Sequence, residues 1–81
     1  MEDVTLRIEM IYIHVKRRKS LKLKIVETLA ESIMENGQKT PILVRQDGER
    51  FVLIEGLHRL EACKALGEET IAGVIVQARR H

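Results

Sequence analysis

FVLIEGLHRLEACKALG, residues 51–67, decides how this chain folds. Phe51 to Ile54 is a short apolar run suited to a buried strand, and Asp47-Gly48 just before it is a hairpin signal. Behind Gly56 the spacing changes. Leu60, Cys63 and Leu66 fall on one helical stripe, and Gly67 is placed to end a helix. The stretch therefore predicts a strand over 50–55, a turn on Gly56 and a helix to about Leu66. The first turn of that helix carries His58 and Arg59. A helix start is the positive end of the peptide dipole and normally attracts acids. Two basic residues are the wrong charge there unless an anion shares the position.

Working outward, PILVRQ (41–46) reads as a strand that opens on Pro41, since proline can begin a strand but not sit centrally in one. Ile25, Val26, Leu29, Ala30, Ile33 and Met34 recur at helical spacing, and Gly37 is a plausible stop, so a helix is predicted over 22–36. VTLRIEMIY (4–12) alternates, with Leu6, Ile8, Met10 and Tyr12 on one face and Arg7 and Glu9 opposite. That period of two reads as one half-buried strand. IAGVIVQ (71–77) is a strongly apolar last strand. The order β-α-β-β-α-β predicts an α+β fold, a small mixed β-sheet packed with two main helices, as one domain over 1–81.

Composition limits what such a domain can be. Apolar residues at 44% and charged residues at 32% describe a globular chain rather than a disordered one. Tyr12 and Phe51 are its only aromatics, so stacking platforms for single-stranded nucleic acid are not expected. The single cysteine, Cys63, excludes an intramolecular disulfide and a cysteine-cluster zinc site. No apolar run approaches the ~20 residues of a membrane span, and no signal peptide is visible. A soluble cytoplasmic protein with no membrane partner is expected. The net charge of +2 says little by itself, but its distribution says more. Lys16, Arg17, Arg18, Lys19, Lys22 and Lys24 fall in a stretch without an acid, read as a loop leading into the first helix.

The strand–Gly56–helix turn is a physical device for binding phosphate. Glycine lets the backbone come close to a ligand, and the free N–H groups of Leu57, His58 and Arg59 point out of the helix start. Arg59 adds a bidentate fork and His58 a further donor. Glu55, at the strand's end, is the candidate to hold Mg2+ or to act as a base. Other readings compete with this one. His58 and Arg59 could simply be solvated, or Arg59 could pair with Glu55, Glu61 or Glu69. Cys63 reads as packing rather than as a nucleophile. The basic stretch 16–24 gains meaning only if folding brings it beside Gly56.

Residues 53–67, LIEGLHRLEACKALG, together with LAESIMENGQKTPILV (29–44), resemble the N-terminal domain of ParB-like partition proteins. That domain is often labelled a ParB-like nuclease domain and shares its fold with sulfiredoxin. The resemblance runs from about Val4 to Ala78. It implies a nucleotide site with phosphates on Gly56, Leu57, His58 and Arg59, and a basic loop, Arg17 and Arg18 in particular, closing over them. Thr28 and Ser32 match polar helix positions that face the nucleotide, and their spacing of four puts both hydroxyls on one helix face. The implied cofactor is a nucleoside triphosphate, ATP or CTP, with Mg2+; any metal ligands remain open.

The chain also departs from its relatives. ParB proteins usually show Gly-Glu-Arg-Arg where this chain has Gly56-Leu57-His58-Arg59. Sulfiredoxins place their catalytic cysteine directly after the glycine, the position of Leu57, so sulfinic-acid reduction is not expected. ParB proteins continue into a helix-turn-helix domain, and sequence-specific DNA binding is not expected of these residues alone. The expected function is nucleotide binding, with NTP hydrolysis or phosphotransfer as possible activities, in a DNA- or plasmid-partition setting. The alternative is a non-catalytic DNA-binding or partition adaptor using segment 16–24. Nuclease activity ranks third, for want of a dense acidic cluster. Self-association into a homo-oligomer is a further implication of the resemblance.

Overall fold

The computed structural model describes residues 3–77. Ala78, the far limit of the resemblance, lies outside them. The elements in order are β1 (Val4–Arg7), a 3-10 turn (Ile8–Met10), β2 (Ile11–Tyr12), a short α1 (Val15–Arg18), α2 (Leu23–Asn36), β3 (Ile42–Asp47), β4 (Arg50–Glu55), α3 (Leu57–Ala65) and β5 (Thr70–Ile75). One five-stranded sheet has the order β1-β5-β3-β4-β2. It is mixed: β1/β5 and β3/β4 are antiparallel, whereas β3/β5 and β2/β4 are parallel. The α+β architecture with two main helices is the one the sequence predicts.

The strand expected over 4–12 is corrected. It is one ribbon broken by the 3-10 turn, and its halves pair with opposite edges of the sheet: β1 with β5, β2 with β4. Five flat strands would set those edges roughly 19 Å apart. The four steps from Arg7 to Ile11 reach at most about 14 Å, and less when wound into a 3-10 turn. The sheet must therefore curl until its edges meet. The turn also shifts the phase of the pattern. Leu6 and Ile8 are buried as expected, but beyond the turn Ile11 and Ile13 point inward while Tyr12 is exposed. Arg50 lies over the Tyr12 ring at 4.4 Å and bonds Asp47 at 3.3 Å, tying β2 to the hairpin.

The core is built from Leu6, Ile8, Ile11, Ile13, Ile42, Val44, Leu53, Leu57, Leu60, Cys63 and Ile71. Helix α2 packs on α3 and ends at Gly37, whose φ of 76° suits a glycine stop. Its apolar face is narrower than its pattern suggests. Val26 is buried and Leu29, Ala30 and Ile33 are half-buried, but Ile25 and Met34 are exposed. After α2, Gln38 acts as a surrogate strand residue. Its Oε1 accepts from the Ala72 N–H at 2.9 Å and its Nε2 donates to the Ala72 carbonyl at 3.0 Å. This extends the pairing of β5 past the start of β3, where Pro41 has no N–H to give.

Candidate phosphate site at the start of helix α3

Parallel neighbours finish at the same end of a sheet. Because Ile11 and Tyr12 of β2 pair in parallel with Phe51 and Val52 of β4, the chain leaving β2 and the chain leaving β4 emerge side by side. The first becomes the basic arm, residues 14–22. The second becomes Gly56 and α3.

Ahead of Gly56 the register steps from Val44↔Leu53 to Leu43↔Glu55, so Ile54 is an extra residue. Such bulges bend a strand and re-aim the residues beyond them. Gly56 then has φ 108° and ψ 28°, a conformation that side chains disfavour. A Cβ at Gly56 would also lie 2.6 Å from Cγ2 of Ile42, which is buried under it. The Gly56 carbonyl accepts from the Leu60 N–H at 2.8 Å, closing the first turn. Leu57 and Leu60 are buried and fix which face of α3 meets the core. That leaves His58 and Arg59 half-buried on its flank. Leu57 thus offers the site its backbone alone.

His58 Nε2 accepts the backbone N–H of Lys22 at 3.0 Å. Lys22 is the residue that precedes the first turn of α2. Two helix starts therefore meet at one hydrogen bond. Neither has a side-chain cap, and neither has an acid in its first turn. With Nε2 accepting, the ring proton of neutral His58 resides on Nδ1. Folding thus brings Lys22, near the end of the basic stretch, to the first turn of α3.

The arm is not the plain loop the sequence suggests, because residues 15–18 form α1. His14 Nδ1 accepts from the Lys16 N–H at 3.2 Å, and the Ser20 hydroxyl donates to the Arg17 carbonyl at 2.7 Å. Arg17 and Arg18 are exposed. Among the described residues the ion pairs are Arg7–Glu9, Arg50–Asp47 and Lys64–Glu61. Arg59 and the arm's basic residues form none, and the pairing of Arg59 with Glu55, Glu61 or Glu69 is not made.

Glu55 ends β4 next to the turn and is exposed. No group of three or more His, Cys, Asp or Glu among the described residues is arranged to hold a metal ion. A lone carboxylate suits Mg2+ only when nucleotide phosphates and water complete the shell. Thr28 and Ser32 are exposed on α2, about 9 Å and 15 Å along the helix from Lys22. The Thr28 hydroxyl donates to the Lys24 carbonyl at 3.0 Å. No hydrogen bond among the described residues ties the Ser32 side chain to the α3 start. Two clefts, of about 510 and 270 Å3, lie elsewhere, one at Arg7, Glu9 and Glu69 and one at Gln38, Cys63 and Ala72. Neither is lined by Gly56, Leu57, His58 or Arg59. Sequence reading missed Ile42 and the Lys22 amide; the missing acid at the start of α2 was the one available signal for the latter.

Cys63 is 2% exposed, and its thiol pKa is raised by burial first and by Glu68 second, with Arg59 opposing. A buried thiol with a raised pKa is a poor nucleophile. Cys63 should therefore react with a thiol reagent at neutral pH only as fast as the domain opens, and at once in denaturant. Rapid labelling of the folded protein would contradict its place in the core.

No helix among the described residues is long and apolar enough to cross a membrane. The model of the ParB N-terminal domain matches residues 1–81. A probable chromosome-partitioning protein ParB of Campylobacter jejuni is 41% identical over 58 residues, which are 72% of this chain. The match spans 21% of that relative's length. Sulfiredoxin from Arabidopsis thaliana superposes with a TM-score of 0.86 at 31% identity, covering 96% of this chain and 88% of that one. A C-terminally truncated chromosome-partitioning protein ParB from Caulobacter crescentus, complexed with CTP-γ-S, gives 0.84 at 23% identity, covering 98% and 46%. A free serine kinase variant in complex with ADP gives 0.81 at 22%, covering 94% and 31%. The last two likenesses speak for the fold. With the family match running the full length and the same fold in solved relatives, the chain belongs to the ParB N-terminal domain family.

Proposed function

We propose that this domain binds a nucleoside triphosphate, ATP or CTP, with its phosphates at the start of α3. The observation that carries the reading is the meeting of two uncapped, acid-free helix starts at the His58–Lys22 bond. Both dipoles present their positive ends there, and an anion is the partner they lack. The N–H groups of Leu57, His58 and Arg59 would bind oxygen atoms, with Gly56 allowing close approach. Arg59 would supply a fork, and Arg17 and Arg18 would close over the phosphates. Thr28 is within reach of a nucleotide lying along α2, and Ser32 only of its far end. Relatives of the same fold complexed with CTP-γ-S and ADP support a nucleotide as the ligand.

Isothermal titration with ATP, CTP and GTP in the presence of Mg2+ tests this. One nucleotide should bind, and Arg59→Ala should weaken it about 10- to 100-fold, the loss expected for a charged hydrogen-bonding group. No binding of any of the three, or binding untouched by Arg59→Ala, would overturn the reading. If hydrolysis or phosphotransfer accompanies binding, Glu55 is the base or Mg2+ ligand in reach. Glu55→Gln should then abolish turnover and spare binding.

A second reading, a partition-type adaptor that binds DNA, rests on the exposed arm, whose basic residues form no ion pair among the described residues. Its affinity should fall steeply with salt as counterions are released, and no DNA retention at ~50 mM salt would remove it. Gel filtration with and without nucleotide reads the homo-oligomer that the family resemblance implies.

A further inference from the structure

We propose that His58 is a positioning residue that holds the basic arm by the lone pair of Nε2 and releases it when that nitrogen takes a proton. The purpose of the device rests on the nucleotide reading, but its geometry does not. The hydrogen bonds within the arm are local: Lys16 to His14, Arg17 to His14, Ser20 to Arg17 and Leu21 to Arg18. The Lys22 N–H to His58 Nε2 bond, across 36 residues of sequence, is the one hydrogen bond among the described residues that ties residues 14–22 to a distant element. The arm's other anchors are apolar, Ile13 in the core at one end and Leu21 packed against the core at the other. Between them the residues are exposed.

An imidazole nitrogen accepts a hydrogen bond only while unprotonated. Histidine is the side chain whose ordinary titration falls between about pH 5 and 8. Protonation would set an Nε2–H against the Lys22 N–H and break the tie. A phosphate at the start of α3 makes the opposite demand on the same nitrogen, because it favours the charged ring and accepts from Nε2–H. One atom thus serves the arm or the anion, but not both.

The charges near this atom come from several elements. Helix α3 and the turn before it bring Arg59 and Glu55, and Glu61 is already bonded to Lys64 at 3.1 Å. The start of α2 brings Lys22 and Lys24, with Glu27 and Glu31 farther along it. Helix α1 with its flanks brings Lys16, Arg17, Arg18, Lys19 and His14, whose Nδ1 likewise accepts an N–H, that of Lys16. The start of β3 beneath Gly56 is apolar, at Ile42. None of these charged groups forms an ion pair with His58 among the described residues. Among the described residues, the Lys22 N–H is the one hydrogen-bond partner of the His58 ring.

The test is nuclear magnetic resonance on the ligand-free domain, reading the His58 ring nitrogens and the Lys22 amide protection factor at pH 8 and pH 5. In the wild type, Nε2 should be unprotonated at pH 8, and Lys22 protection should fall about fivefold or more at pH 5, the loss of one hydrogen bond. His58→Gln offers an amide oxygen that accepts at any pH, so it should keep Lys22 protected at both. His58→Ala should leave it unprotected at both. Protection in His58→Ala equal to wild type, or a wild-type ring protonated on Nε2 at pH 8, would overturn the proposal. The wild-type ring measurement stands if a variant fails to fold. Adding the nucleotide at pH 8 should lower Lys22 protection as acid does. If no nucleotide binds, the functional reading fails while the pH series still decides the latch. If nucleotide binds and the pH series is flat, the latch alone fails.

Discussion

Gly56→Ala should lower the stability of the domain by about 2–5 kcal/mol, seen as a fall in the urea midpoint with the slope unchanged. Two separate terms make up that loss. A side chain at φ 108° is held in a left-handed conformation, at about 1–2 kcal/mol. Its Cβ must then find room where Cγ2 of Ile42 sits 2.6 Å away, and overpacking of that kind costs about 1–3 kcal/mol. A domain of this length has roughly 4–12 kcal/mol in all. The substitution should therefore leave a protein near its unfolding threshold. If the proposed site is right, whatever remains folded should also bind nucleotide poorly, because relief of the clash would shift the start of α3 against the sheet. Stability and binding both equal to wild type would show that the turn does not rest on Ile42.

Ile42→Ala is the second large effect, at about 2–5 kcal/mol. Ile42 is 1% exposed and lies between two glycines, with Gly56 on one side and Gly73 on the other. A Cβ at Gly73 would come within 3.2 Å of Ile42 Cγ1. Both neighbours lack side chains where Ile42 fills the space, so little can collapse into the cavity, and the cost should fall in the upper half of the range. The two substitutions should also couple. Alanine at position 42 has no Cγ2, so in the double variant the 2.6 Å clash disappears, while a tight 3.0 Å approach to the remaining Cβ and the backbone strain persist. The combined loss should be smaller than the sum by about 1–3 kcal/mol. Strict additivity would deny the contact.

Much of this arrangement is legible in the chain because its signals are local. Asp47-Gly48 marks the hairpin, and the change of spacing at Gly56 marks the strand-to-helix turn. The Leu60 and Cys63 stripe gives the buried face of α3 before any coordinates are known. Segment 4–12 fails for a definite reason. Its alternation is genuine on each side of the 3-10 turn, but three residues of turn change which side faces in, and nothing in IEM announces that. The exposure of Ile25 and Met34 has a similar origin. A helical stripe records which residues are apolar, not how much of the neighbouring helix is there to cover them.

The candidate site divides the same way. That helix α3 starts without an acid can be read directly. That α2 starts without one as well can be read in the same way, but that the two starts touch depends on β2 running parallel to β4. Parallel pairing between segments some 40 residues apart leaves no trace in spacing. Arg59, Glu55, Glu61 and Glu69 show the converse: sequence offers them as partners, and only the fold shows that the pairs are not made.

The ribbon from Val4 to Tyr12 has a consequence for how the molecule behaves among its own copies. An edge strand is a template on which another chain can add a strand, and proteins that leave one bare risk aggregation. Here a single segment covers β5 along Thr70–Gly73 with its first half and β4 along Phe51–Val52 with its second. Loss of residues 4–12, by proteolysis or truncation, would bare two edges at once. A shortened chain would then be sticky out of proportion to the few residues removed.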